Sequence, residues 1–341
     1  MRTQLAISYE EIVSVENLLG AWDDFVRGKR KKRDVQEFGF RLMDNIFELH
    51  SELVSFRYKH SEYWAFKIND PKPRDIHKAS VRDILLHHAI YRKLYPFFDR
   101  TFVDASYSCR KRKGTHKACD RFAAMLRSVG GNNTCTVWVL QCDVRKFFAS
   151  IDHQILFSVL RTRISDKKIL WLLYQVVGSF SSGIGNTGLP LGNLTSQLLV
   201  NIYMNEFDQF VKHTLRARYY IRYADDFAIV STDRIELVEI LDRSRCFLLE
   251  KLKLELHPSK VSLKTFVSGV DFLGWVHFPH HRILRASTKK WVFRRLRENP
   301  SRETVDSYRG MLSHGNAHKL EVKVVASVIS QSVCRDTKKV R

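Results

Sequence analysis

The chain has 341 residues, enough for one large domain or two with a sizeable core. Lys and Arg number 57 against 36 acids, a formal charge of +21, which argues against an ordinary small-molecule enzyme and for a polyanion partner, nucleic acid before membrane. The six cysteines (Cys109, Cys119, Cys135, Cys142, Cys246, Cys334) lack Cys-x-x-Cys spacing, which gives neither a zinc ribbon nor a disulfide framework; with no secretory leader and no apolar run of membrane length, a cytoplasmic protein with reduced thiols is expected.

Residues 7–27 place Ile12, Val13, Val15, Leu18, Leu19, Trp22 and Phe25 at near-helical spacing. The basic run Lys29 to Arg33 follows, either a solvated loop or a phosphate contact. A helix over 35–56 is expected to bury Phe38, Phe40, Leu42, Ile46, Phe47 and Leu53. Trp64 to Ile68 reads as a strand before the turn at Asp70 to Pro73. Arg74, His77, Lys78 and Arg82 then lead into an apolar-periodic helix through Leu85, Leu86, Ala89, Ile90 and Leu94. His87 and His88 are adjacent, so they face different ways on a helix and read as structural rather than as metal ligands. Ser106 to His116 is the densest basic segment near a glycine, and by itself it is either a solvated loop or an anion-binding one.

Thr136 to Leu140 is a second strand-like run, and Asp143 stands at its end. Residues 154–180 read as helical and end in a glycine-rich stretch that no Lys-Ser/Thr follows, which excludes a Walker loop. Gly188 to Gln197 then opens a long helix through Asn201, Asn205, Phe207 and Phe210. Tyr219 to Ser231 is two aromatic and β-branched runs around the acid pair Asp225 and Asp226, the pattern of a hairpin. That pair alone is equally a solvated turn. With Asp143 it becomes the set of oxygen ligands a two-metal phosphoryl-transfer site needs, with ions roughly 3.5–4 Å apart. An amphipathic helix and strand start over 235–256 precede His257-Pro258-Ser259-Lys260, and Val270 to Trp275 is an apolar turn continued by a strand through Phe278. From Arg285 the sequence turns to basic helices, the first with Trp291, Phe293 and Leu296, the second with Val305, Tyr308, Met311 and Leu312, the third over 317–334.

Tyr223-Ala224-Asp225-Asp226, with Asp143 upstream, resembles motifs C and A of the reverse transcriptases, and Gly188 to Gln197 resembles motif B. The resemblance runs in motif order over 35–285 and implies an α+β right-hand polymerase fold: helix-rich fingers, a split βαβ palm and a small three-helix thumb. It divides the chain into an N-terminal basic extension (1–72), fingers (73–135), palm (136–285, with a fingers insertion near 154–187) and thumb (286–341). It further implies that Asp143, Asp225 and Asp226 hold two Mg²⁺ ions, with Mn²⁺ as a substitute. Ser106 to His116 matches the fingers hairpin, with Arg110 and Lys113 on the triphosphate. Phe148 matches the steric gate against a ribose 2′-hydroxyl, beside a core Phe147, and Asp152 is read as tying down local backbone. Lys260 matches the motif D lysine that protonates leaving pyrophosphate, and Gly274 the primer grip of motif E. Arg74, Arg82, Lys289, Lys290 and Arg294 are candidate nucleic-acid contacts; for each the alternative is a solvated face.

Two departures refine the resemblance. Where many reverse transcriptases have Gln before the motif B glycine and Pro after its serine, this chain has Leu191 before Gly192 and Gln197 after Ser196. That combination is similar to the diversity-generating retroelement enzymes, whose cDNA synthesis errs opposite template adenine. Leu191 makes none of the hydrogen bonds a Gln makes near the nascent pair; the alternative is a neutral packing change. The resemblance implies dNTPs, a template-repeat RNA, a cDNA or primer strand, and a small basic pentameric accessory protein as partners. Retron-like and antiphage-defence enzymes share the core, but the Val-Thr-Gly expected of retrons has only Val267-Ser268-Gly269 near it. A group II intron protein is expected to carry a longer tail, and a non-catalytic RNA-binding scaffold to lack one of the three acids.

Overall fold

A computed structural model describes residues 3–69, 73–183, 185–322 and 324. The N-terminal helices are α1 (Tyr9–Val13), α2 (Val15–Val26), α3 (Arg33–Phe40) and α4 (Leu42–Val54). Each of the two helices expected here is broken once. Ser14 ends α1 and caps α2 by accepting from Asn17 N, and Arg41 leaves helical geometry between α3 and α4. The second break turns Phe40 and Phe47 out of the core, where they are 92% and 53% exposed, against expectation. Ile46 and Leu53 are buried as their spacing requires.

Strand β1 (Trp64–Ile68) pairs antiparallel with β2 (Arg74–Lys78), and α5 (Val81–Asp99) and α6 (Thr115–Val129) follow. The turn expected at 70–73, between β1 and β2, lies largely outside the described residues. The segment 106–114, expected to form a hairpin, is an irregular loop into α6 and holds no named strand.

The centre of the molecule is a four-stranded antiparallel sheet of order β4-β5-β3-β6, formed by β3 (Trp138–Asp143), β4 (Tyr220–Tyr223), β5 (Asp226–Ser231) and β6 (Ser262–Thr265). Three helices come between β3 and β4: α7 (His153–Arg161), α8 (Lys167–Gly178) and α9 (Leu194–Gln209); α10 (Arg234–Leu252) joins β5 to β6. Alternation along the strands divides two cores. Leu140, Cys142, Phe227 and Ile229 join the core shared with α5, α7 and α9, while Val137, Val139, Ala228 and Val230 join the core shared with α6, Val292 and Leu296. A three-stranded meander of β7 (Val270–Phe272), β8 (Trp275–His277) and β9 (Arg282–Leu284) leads to α11 (Ala286–Glu298) and α12 (Arg302–Leu312). Of the third basic helix expected over 317–334, residues 318–322 are helical and those beyond 324 lie outside the described residues. The whole is the mixed helix-and-sheet right-hand polymerase architecture.

Candidate active site

Asp143 ends β3 and Asp226 begins β5, and the two are direct cross-strand partners. Residues so paired share a face with Cβ atoms about 5 Å apart, and like charges placed there repel. Asp225 sits at the tip of the two-residue loop between Tyr223 and Asp226. Its neighbour Ala224 has φ +56°, a left-handed conformation uncommon for a residue with a Cβ. The turn is held from below. Arg222 on β4 donates to Ala224 O at 3.0 Å, while its Nε and Nη2 clasp Asp208 of α9 at 2.7 and 2.6 Å. Both partners are fully buried. Burial opposes the Arg222 charge, but Asp208 outweighs it and lifts the guanidinium above its ordinary range. Tyr220 donates to the same carboxylate at 2.6 Å, and Ser106 and Asn201 complete the shell around Arg222.

Three carboxyls in one place carry an electrostatic cost. Burial first, then the charges of Asp225 and Asp143, push Asp226 up to about 7. Burial also raises Asp225, with Asp143 adding to it and Lys260 and Arg74 pulling the other way. Lys260 donates to both oxygens of Asp143 at 2.8 Å. Crowded carboxylates whose charge is this poorly compensated fit hard divalent cations, which take oxygen ligands. Among the described residues no group of three or more His, Cys, Asp or Glu is arranged to hold a metal ion as it stands, and Lys260 occupies Asp143, so a cation bound there would displace that ammonium.

The other expected residues divide into two groups. Arg74, on β2, lies in the field of Asp225; sequence reasoning placed it on nucleic acid generally, without this neighbour. Phe147 is buried, whereas Phe148 is only partly buried. The motif B loop abuts β2: Leu191 O accepts from His77 N at 3.4 Å, and exposed Gly192 has φ +108°, where a Cβ would meet Ile76. Leu273 and Gly274 form the β7–β8 turn, both with positive φ. Lys289, Lys290 and Arg294 are exposed on α11. Asp152 caps α7 and pairs with Lys253 at 2.6 Å, the backbone role expected of it.

Three expected contacts turn inward instead. Arg110 donates to Asp99 Oδ1 at 2.7 Å and to the carbonyls of Val103, Ser106 and Asp99 at 2.7–3.1 Å, so its guanidinium staples the loop and does not project as a clamp. Lys113 bonds Asp104 and lies 4.4 Å from the centre of the Tyr107 ring. Arg82 pairs with Glu52 and stacks on Tyr58. No local pattern reveals these, because each depends on partners that only the fold supplies. His87 is likewise internal, linking Thr195 to His60.

The family model for reverse transcriptase (RNA-dependent DNA polymerase) matches residues 68–277. Protein YkfC of Escherichia coli K12 is 26% identical over 290 residues, which cover 73% of this chain and 74% of YkfC. The group II intron-encoded protein LtrA of Lactococcus lactis subsp. cremoris is 23% identical over 276 residues, 61% of this chain but only 45% of LtrA. Apo telomerase from Candida tropicalis superposes with a TM-score of 0.48 and 12% identity, over 65% of this chain and 48% of that one. No described helix is long and apolar enough to cross a membrane.

Proposed function

This chain belongs to the reverse transcriptase family, the RNA-directed DNA polymerases, and on that premise we propose that it makes adenine-mutagenic cDNA from a template-repeat RNA, as diversity-generating retroelement enzymes do. The observation that supports the finer reading is the motif B segment, where apolar Leu191 precedes Gly192 beside β2 and Gln197 follows Ser196. A pocket that reads a base by hydrogen bonds discriminates far more sharply than one offering only apolar contact. Leu191 offers only apolar contact.

Asp143, Asp225 and Asp226 are the residues that would hold two Mg²⁺ ions, or Mn²⁺ in their place. Such ions supply a lowered pKa at the primer 3′-hydroxyl and charge stabilisation on the α-phosphate. The chain's own residues do the rest. Lys260, freed from Asp143, delivers a proton to the departing pyrophosphate. Arg74 neutralises triphosphate charge from the fingers. Phe148 fills the space of a ribose 2′-hydroxyl, the Gly274 turn seats the primer end, and Lys289, Lys290 and Arg294 neutralise duplex phosphates. Catalysis then consists of positioning and electrostatic stabilisation. A cytoplasmic location and a small basic pentameric accessory protein belong to the same reading.

The test is primer extension on a defined RNA template with Mg²⁺, with the products sequenced. Errors concentrated opposite adenine, and reduced by Leu191→Gln, are expected. Accurate cDNA would move the reading to a retron-like or defence enzyme.

A further inference from the structure

His87 reads from sequence as a structural residue and is buried, yet both of its ring nitrogens are engaged and one of them reaches motif B. Its Nδ1 lies 2.5 Å from Thr195 Oγ1, in the first turn of α9, between Gly192 and Gln197. Its Nε2 lies 3.0 Å from Nε2 of His60, in the segment between α4 and β1. The side chains of His60, His87 and Thr195 are all buried, so none of them finds water in place of a lost partner.

The sense of these bonds follows from the far end of the chain. His60 Nδ1 faces two acceptors, Ser61 O at 2.6 Å and Asp83 Oδ2 at 3.8 Å, so it carries a proton. Asp83 is itself held by Tyr58, Ser80 and the Ser61 amide. Burial first, then charge on His60, pushes His87 down to about 3, so its ring is neutral and holds one proton. With His60 neutral, its Nε2 accepts from His87 Nε2, and His87 Nδ1 accepts the Thr195 hydroxyl proton. With His60 charged, both bonds reverse and Thr195 accepts instead. The tie to Thr195 holds in either case.

The start of α9 needs such a tie. Its N-cap, Asn193, is of a type that ordinarily accepts from the first helical turn, but its side chain makes no such bond. The contact of the preceding loop with β2, from His77 N to Leu191 O, is long at 3.4 Å. We propose that His87 is a positioning residue for nucleotide incorporation, fixing motif B through Thr195 with His60 as its anchor. It touches no reacting atom. The inference rests on the polymerase reading above, which sets motif B against the nascent pair, and adds to it a support that reaches motif B from α5. A first turn released from this support shifts Leu191 and Gly192, and small misplacements of a positioning element are costly to the reaction.

The test is single-turnover incorporation of correct and incorrect dNTPs on an RNA template by the full chain. It reads the active fraction, the dNTP concentration for half-maximal rate, and the ratio of correct to incorrect incorporation. Thr195→Val removes the hydroxyl at nearly constant shape, and Thr195→Ser keeps it. His87→Leu removes both ring contacts, and His87→Asn keeps an acceptor near the Nδ1 position. Thr195→Val and His87→Leu are expected to raise the half-maximal dNTP concentration about tenfold, the order of one hydrogen bond, and to change the incorporation ratio, with the active fraction retained. Thr195→Ser and His87→Asn should stay within about twofold of wild type. Combining Thr195→Val with His87→Leu should be no worse than the worse single change, because the two act as one unit. Losses confined to the active fraction, or losses that add in the double change, overturn the proposal. If His87→Leu does not fold, the Val and Ser forms of Thr195 decide alone. Variants that match an active wild type remove the tie and leave the polymerase reading standing; a wild type that incorporates nothing removes the two together.

Discussion

Lys260 on Asp143 and Arg222 on Asp208 are ion pairs that each have one partner on the central sheet, and they differ in reach, burial and number of contacts. The Arg222–Asp208 pair is bidentate, fully buried and enclosed by Tyr220, Ser106 and Asn201. Lys260 is 44% exposed in its side chain and spends its ammonium on one carboxylate. The first pair cannot open without leaving a charge stranded in the interior. In the second, the lysine is open to solvent although Asp143 is only 12% exposed in its side chain, so replacing the ammonium by another cation costs less than opening the first pair. The buried pair therefore fixes the Ala224 turn that presents Asp225 and Asp226, and in the proposed metal centre the exposed pair is the part that would yield to a cation. One palm thus combines a rigid support with an exchangeable counter-ion, a division that suits a site working by preorganisation.

The comparison can be broken at either pair. Asp208→Ala, which strands Arg222, is expected to cost about 3–5 kcal/mol in denaturant unfolding. Replacing both partners by apolar residues of similar volume should recover much of that loss, and a double-mutant cycle measures the difference. Lys260→Ala should slow single-turnover incorporation by about 10²-fold or more, shift stability by less than about 1 kcal/mol, and lower the metal concentration needed for half-maximal rate. Equal losses of stability at the two sites would erase the distinction between them. Arg110→Ala should cost about 2 kcal/mol, because Asp99 and three carbonyls lose their donor, with the KM for dNTP within about twofold of wild type. A large rise in KM instead would restore Arg110 as a triphosphate clamp.

The smallest expected effect is in pH dependence. Asp226 is raised from 3.8 to about 7, so between those values the folded protein binds a proton that the unfolded chain has released. Stability without added metal should therefore fall as pH rises through that window, and Asp226→Asn should flatten the slope. At limiting metal, activity should rise through pH 7 as the carboxyl ionises, and excess metal should shift the midpoint downward by competing with the proton.

The acids were legible in sequence because strand periodicity and a hairpin signal are local, and Asp143 sits where a strand ends. The register that makes Asp143 and Asp226 cross-strand partners was not legible, because alternation within one strand does not say which distant strand it pairs with. The inward turn of Arg110, Lys113 and Arg82 was not legible. A basic loop reads alike whether its charges meet phosphate or Asp99, Asp104 and Glu52, and those partners come from other segments. Phe40 and Phe47 misled for a related reason: apolar spacing marks a helix face, but the break at Arg41 rotated that face away from the core. Asp208 carried no signal in a helix of mixed composition, although it supports the site from beneath.

The central claim is that the three carboxylates form a divalent-metal polymerase centre. Single-nucleotide incorporation on an RNA template, with and without Mg²⁺, tests it most directly for the wild type, Asp225→Asn and Asp226→Asn. The account predicts metal-dependent incorporation that drops by on the order of 10³-fold or more in both variants, with thermal stability retained or raised as like charges are relieved. Incorporation that persists in either variant, or that proceeds without a divalent ion, would contradict it.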